Sequence, residues 1–207
     1  RVYNLSRRPC PLEQVHNLNV DLSQTESVQA ALQALHAQIE APCKISLIHN
    51  AAIMLEDSID NFDLDAFERA LRINLTSPVT ITSGLKPLMA SGSSVIFIGS
   101  TLSDKGVPNR LNYVASKHAV VGLMRSLVQE FFGQKIHTVC VCPGFTATEM
   151  ITGVLDENPD FKAQVLDMIA FHRLLEPAEV ARCVAFAIDS PALNGSVLHA
   201  NLGQRQA

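Results

Sequence analysis

The stretch SVIFIGSTLSDKGVPNRLNYVASK, Ser94 to Lys117, passes from an apolar run through a polar turn into a helical pattern. Val95 to Ile98 has the length and β-branched content of a buried strand, and the sequence predicts a strand over 94–99 with Ser100 just past its end. Asn112 to Phe132 carries the spacing of a long amphipathic helix, which Gly133 stops. The order strand, turn, helix sets the pattern for the rest of the chain.

Working outward, Val2 to Leu5 and Asn17 to Val20 read as strands. A helix follows over 23–39, with Val28, Leu32, Leu35 and Ile39 at helical spacing behind Asp21 and Ser23 as possible caps. Ile45 to His49 is a third strand, and Asp65 to Met89 reads as one long helix that Ser91 and Gly92 end. Ile136 to Val141 is an almost wholly apolar strand closed by Pro143-Gly144, and the tail carries a helix from Pro177 to Asp189 and a short strand over 196–199. Apolar strands joined by helices imply an α/β fold with a mostly parallel sheet covered on both faces, in one domain over 1–207. Such sheets bind ligands beyond the carboxyl ends of their strands, which places Asn50, Ser100 and Pro143 on the functional edge.

Composition narrows the function classes. The 207 residues (22.5 kDa) are 47% hydrophobic and 17% charged with mean hydropathy +0.17, which excludes a disordered chain. A net charge of -4 without a long block of one sign argues against nucleic acid or an anionic membrane as partner. No stretch reaches the roughly 18 apolar residues of a membrane span, and Arg1 to Pro9 lacks the build of a signal or transit peptide. The five cysteines show no metal-ligand spacing, so the expectation is reduced, mostly buried thiols in a soluble cytoplasmic protein with no metal site.

Tyr113 and Lys117 stand four apart near the start of a predicted helix, so both project from one face. A nearby ammonium favours the phenolate, which suits Tyr113 to general acid or base chemistry. Ser100, at the end of its strand, is placed to hydrogen-bond a substrate carbonyl oxygen as charge develops there, with Ser103 a weaker substitute. Asn74 lies inside a predicted helix, where an asparagine is unfavourable unless its amide has a partner. The small residues of Asn50-Ala51-Ala52 leave room for close approach of a ligand.

Asn50-Ala51-Ala52, Asn74, Ser100, Tyr113-Val-Ala-Ser-Lys117 and Pro143-Gly144, separated by 24, 26, 13, 4 and 26 residues, together resemble the short-chain dehydrogenase/reductase family in order and spacing. The resemblance covers nearly the whole chain. It implies a Rossmann-type doubly wound parallel sheet in three α/β/α layers. Tyr113 would be the proton donor or acceptor, and Lys117 would lower the Tyr113 pKa and bind the nicotinamide ribose. Ser100 would orient the substrate oxygen, and Asn74 would hold a water of a proton relay. Asn50, Ala51 and Ala52 would lie along the cofactor ribose, where the family's Asn-Ala-Gly appears here as Asn-Ala-Ala. Pro143, Gly144 and Thr146 would hold the nicotinamide amide and pyrophosphate, and Asp21-Leu22 would flank the adenine ring, although Asp21 also suits a helix cap.

The end of the first strand reads Asn4-Leu5-Ser6-Arg7-Arg8. With no carboxylate for a ribose hydroxyl and two guanidiniums able to fork a phosphate, NADP(H) is the expected cofactor, with Ser6, Arg7 and Arg8 in contact. The family's glycine-rich loop does not occur in this sequence, and the first βα unit of the resembled fold would precede Arg1. Without that unit the Val2 strand has no partner on one side and the sheet falls into two parts. The expectation is therefore that the sequence begins partway into a longer protein; a truncated inactive form, or a strand supplied by another chain, are the alternatives.

Residues 145–176 mix Met150, Ile151, Val154, Leu155, Phe161, Leu166 and Phe171 with polar residues and read either as a short helical lid over a small-molecule carbonyl or alcohol substrate or as core and subunit contact. The resemblance adds a homodimer or homotetramer packed through the helices at 65–89 and 112–132. The competing expectation is a non-catalytic member that binds nucleotide or only assembles with partners.

Overall fold

The computed structural model describes residues 1–40 and 42–205. Strand β1 (Val2–Ser6) pairs with β2 (Val15–Asn19), Val2 opposite Val15. Strands β3 (Ser46–His49), β4 (Ser94–Ile98), β5 (His137–Pro143) and β6 (Val197–Ala200) form a second sheet in that order, and every pairing is parallel. Parallel neighbours need crossovers. Helix α1 (Thr25–Gln38) leads from β2 to β3, α2 (Leu64–Leu71) and α3 (Ser77–Leu85) lead to β4, and α4 (Leu111–Glu130) leads to β5. Helices α5 (Glu149–Glu157), α6 (Pro159–Asp167) and α7 (Pro177–Ile188) precede β6.

Side chains alternate across the four-stranded sheet, as the strand period requires. Val95, Phe97, Cys140 and Cys142 pack with Val120, Val121 and Met124 of α4. Ile96, Val139 and Val141 point the other way, onto Ala187 and Val184 of α7. The result is the three-layer, Rossmann-type doubly wound sheet that the sequence predicts. Helices α1 and α3 serve both sheets: Val28, Leu35, Ile81 and Leu85 pack with Tyr3 and Leu5 on one side and with Leu47 on the other. They approach so closely that a Cβ on Gly84 would lie 2.6 Å from the Leu32 Cδ1.

Strands β1 and β3 are not hydrogen-bonded to each other. Between them lies a cleft of about 860 Å³, walled by the two strands and floored by Leu35, Ile81 and Leu85. The sheet is thus in two parts, as the sequence predicts.

The predicted helix over 65–89 is interrupted. After α2 the chain widens into a π turn, Arg72–Thr76, before α3 resumes and a 3-10 turn, Lys86–Leu88, ends the segment. Pro78, in the first turn of α3, has no N–H to return to the carbonyl four residues back, which is that of Asn74. The capping expectation for α1 also changes, because Gln24 occupies the N-cap position. The Asp21 carboxylate instead accepts from the Ser23 N–H (2.9 Å) and hydroxyl (2.7 Å), closing the turn ahead of the helix. All five cysteines are free, but only Cys140 and Cys142 are buried; Cys10 and Cys43 lie in connecting turns, and Cys183 faces partly outward from α7.

Candidate functional site

The carboxyl ends of β4 and β5 and the first turns of α4 bring the predicted proton-transfer residues together. Ser100 directly follows Gly99 at the end of β4 and caps the short 3-10 turn Thr101–Ser103, its hydroxyl accepting from the Leu102 N–H at 3.1 Å. The Ser103 hydroxyl accepts from the Ser100 N–H at 3.1 Å, so the two serines close the turn reciprocally, and the Ser100 hydroxyl also neighbours Tyr113. Gly99 is required by close approach: a Cβ there would lie 2.5 Å from the Cys142 Sγ and 2.8 Å from the Cys140 Sγ.

Lys117 is 4% exposed, and its ammonium donates to the Ile98 carbonyl at 2.7 Å, two residues before Ser100. The same Nζ lies 5.4 Å from the centre of the Tyr113 ring, within cation–π range. Burial pulls the Lys117 pKa down to about 8. Burial raises the Tyr113 pKa above its ordinary value, while the neighbouring Ser100 hydroxyl opposes that rise. Desolvation is the largest influence on the Tyr113 pKa, and the hydrogen bond that the Lys117 ammonium makes is to the Ile98 carbonyl.

Asn74 sits in the π turn and is 3% exposed. Its Oδ1 accepts from the Ile53 N–H (2.8 Å), and its Nδ2 donates to the Ile53 carbonyl (2.9 Å) and the Ser116 hydroxyl (3.0 Å). Ser116 in turn donates to the Tyr113 carbonyl at 2.9 Å. The amide protons of Asn74 are both engaged, so its side chain is a bracket between the π turn, residue 53 and the Tyr113 helix.

The cofactor residues read from the sequence are more widely spread. Asn50 and Ala51 are exposed on the rim of the cleft, with Ala52 partly buried behind them. Ser6 and Leu22 line the same cleft from the β1 side. Arg7 and Arg8 are exposed just past β1, the Ser6 hydroxyl accepting from the Arg8 N–H at 3.2 Å. Arg8 forms an exposed ion pair with Glu149 at the start of α5, 3.0 Å away. Ser23 holds the Asp21 carboxyl below its usual range, with smaller help from Arg7 and Arg69. Gly144 donates to the Ala200 carbonyl and abuts the C-terminal segment, since a Cβ on it would lie 2.8 Å from the Gln204 Oε1. Among the described residues that buried oxygen has no hydrogen-bond partner. The Thr146 hydroxyl donates to the Gly144 carbonyl at 3.0 Å.

Helices α5 and α6 pack on each other beyond the end of β5. Leu155, Val165 and Ile169 make a small core of their own, while Met150, Val154 and Phe161 stay exposed. Among the described residues no cluster of His, Cys, Asp and Glu is arranged to hold a metal, and no helix is long and apolar enough to cross a membrane. Sequence reading missed Asp57, Ile53 and Ser116, whose roles rest on partners 21 to 55 residues away and leave no local pattern.

Comparison with known proteins matches residues 6–204 to the family model described as enoyl-(acyl carrier protein) reductase. Acetoacetyl-CoA reductase of Rhizobium meliloti is 31% identical over 199 residues, covering 93% of this chain and 81% of the relative. A 3-oxoacyl-[acyl-carrier-protein] reductase of Haemophilus influenzae is 32% identical over 161 residues, 76% of this chain and 65% of its own length. A short chain dehydrogenase family protein from Francisella tularensis superposes with TM-score 0.89 at 22% identity, over 98% of this chain and 86% of its own. A blue fluorescent protein from a metagenomic library, solved in complex with NADPH, superposes with TM-score 0.83 at 26% identity, over 91% and 75%.

Proposed function

The chain belongs to the short-chain dehydrogenase/reductase family, and from that premise we propose that it moves a hydride between NADP(H) and a carbonyl or secondary-alcohol carbon while Tyr113 moves the proton. The observation that carries the reading is the meeting of Ser100, Tyr113 and Lys117 at the ends of β4 and β5, with the Lys117 Nζ 5.4 Å from the Tyr113 ring.

The residues present fit the dinucleotide. Arg7 and Arg8 are exposed where a 2'-phosphate would lie, Asn50 and Ala51 stand open on the rim, and the unpartnered Gln204 Oε1 beside Gly144 can accept from an amide N–H. Asp21 and Leu22 would take the adenine side, and Pro143, Gly144 and Thr146 the nicotinamide side. When bound, the dinucleotide supplies or accepts the hydride.

In the reducing direction the Ser100 hydroxyl orients the substrate carbonyl, and Tyr113 donates its phenolic proton to the oxygen as the carbon gains hydride. A Tyr113 pKa raised by burial keeps that proton on the ring at neutral pH. Lys117, with its ammonium 5.4 Å from the ring centre, would add to the stabilisation of the phenolate left behind and would hold the nicotinamide ribose. A relay water would find its acceptor at the Asn74 carbonyl, which Pro78 deprives of its helical donor. The 145–176 segment closes over the substrate as a lid within the single domain. Val79 and Leu111, exposed on α3 and α4, would be covered in a homodimer or homotetramer.

The substrate class to try first is the 3-oxoacyl thioester, by likeness to acetoacetyl-CoA reductase and 3-oxoacyl-[acyl-carrier-protein] reductase. NADPH fluorescence titration of the full-length protein, followed by NADPH consumption with acetoacetyl thioesters, tests the reading. Binding of NADPH tighter than NADH, with thioester-dependent oxidation, supports it; binding of neither cofactor overturns it.

A further inference from the structure

Helix α4, which carries Tyr113 and Lys117, begins without a cap of its own. Arg110 holds the N-cap position with φ -143 and ψ 37 and makes no side-chain cap bond, and Asn109 before it is left-handed at φ 59. The missing acceptor comes from 55 residues upstream: both oxygens of the Asp57 carboxylate accept from the Asn112 N–H, at 3.2 and 2.9 Å. The Asp57 N–H donates to the Asn109 carbonyl at 3.4 Å, and the Asn112 Nδ2 donates to the Leu55 carbonyl at 3.3 Å.

Asp57 is 5% exposed and Asn112 fully buried. The neighbouring ion pair joins Arg110 to Glu56 instead, at 3.9 Å. A carboxylate buried without a cation is costly, and the positive end of a helix offsets part of that cost. Residue 112, one before Tyr113, is what the carboxylate fixes. At the other end of the same short segment, Ile53 is clasped by the Asn74 amide, which reaches Ser116 and through it the Tyr113 carbonyl. Residues 53–57 therefore span the first turn of α4 and hold it at both ends.

We infer that Asp57 is a positioning residue for the proton-transfer site: it sets the start of α4, and with it the aim of the Tyr113 hydroxyl at the substrate oxygen. The inference rests on the proposed role of Tyr113. Displacements of about an ångström at a reacting group cost up to roughly 100-fold in rate. In the full-length protein, Asp57→Ala should lower kcat for carbonyl reduction about 10- to 100-fold. The NADPH dissociation constant should stay within about twofold, because no residue assigned to the cofactor is bonded to Asp57. Asp57→Asn keeps an acceptor facing the Asn112 N–H and should recover most of kcat.

Tyr113→Phe is measured alongside. If Tyr113→Phe loses turnover while Asp57→Ala keeps kcat within about twofold, the positioning role is overturned and the proposed function stands. Parallel loss of kcat and NADPH binding in Asp57→Ala, with no recovery in Asp57→Asn, also overturns it. Full turnover by Tyr113→Phe would mean that the proposed function itself has failed.

Discussion

The two sheets of this fold are held in different ways. In β4 and β5 all but the last residue is buried, and both faces are covered, by α4 on one side and α7 on the other. In β1 and β2 no residue is fully buried, and the apolar residues Tyr3, Leu5 and Leu18 rest on the α1–α3 layer alone. The proposed proton transfer sits on the four-stranded sheet, and Arg7 and Arg8, proposed above to meet the 2'-phosphate, follow the two-stranded one. One sheet is held on both faces and the other on one, so loss of an apolar side chain should cost more in β4 than in β1.

The contrast has measurable consequences. Phe97 is 1% exposed at the centre of the α4 face, so Phe97→Ala should cost about 3–5 kcal/mol in urea unfolding. Leu5→Ala on β1, only partly buried, should cost about 1 kcal/mol. Equal costs would erase the distinction between the sheets.

A second test separates cofactor reading from chemistry. Replacing Arg7 and Arg8 together by alanine would remove the charge-assisted bonds proposed to the 2'-phosphate, about 1.5–3 kcal/mol each. The KM for NADPH should rise at least about tenfold, with the KM for NADH and the saturated kcat unchanged. A fall in kcat would show that β1 and the reaction centre are coupled.

The third concerns β3, which borders the cleft. The His49 ring stacks on Phe97 at 5.0 Å and meets the Thr82 hydroxyl at 2.8 Å, and burial pulls its pKa down to about 3. The unfolded chain takes up the proton near pH 6.5 and the folded one only near 3, so stability is full above 6.5 and falls as pH drops through that window. Between pH 6.5 and 4.5 this amounts to about 2 kcal/mol, a loss that His49→Gln should largely abolish in urea midpoints.

Much of this was legible in the sequence, for physical reasons. Strand runs such as Val95 to Ile98 are apolar because both faces are covered, and Tyr113 and Lys117 meet because four residues make about one helical turn. The division of the sheet followed from the order of elements. What stayed hidden depends on distant partners. The π turn at Asn74 needs Pro78 and the Ile53 main chain together, and the cap supplied by Asp57 crosses 55 residues. The bond from Lys117 to Ile98 also escaped, since spacing shows that Lys117 is near Tyr113 but not which carbonyl its ammonium meets.

The most direct test of the account is to measure turnover and NADPH affinity together in Tyr113→Phe. Removal of the phenolic hydroxyl should lower kcat by about 10²- to 10⁴-fold with the NADPH dissociation constant unchanged, since the ring still packs against Lys117. Turnover equal to that of the unaltered protein would contradict the assignment of the proton to Tyr113.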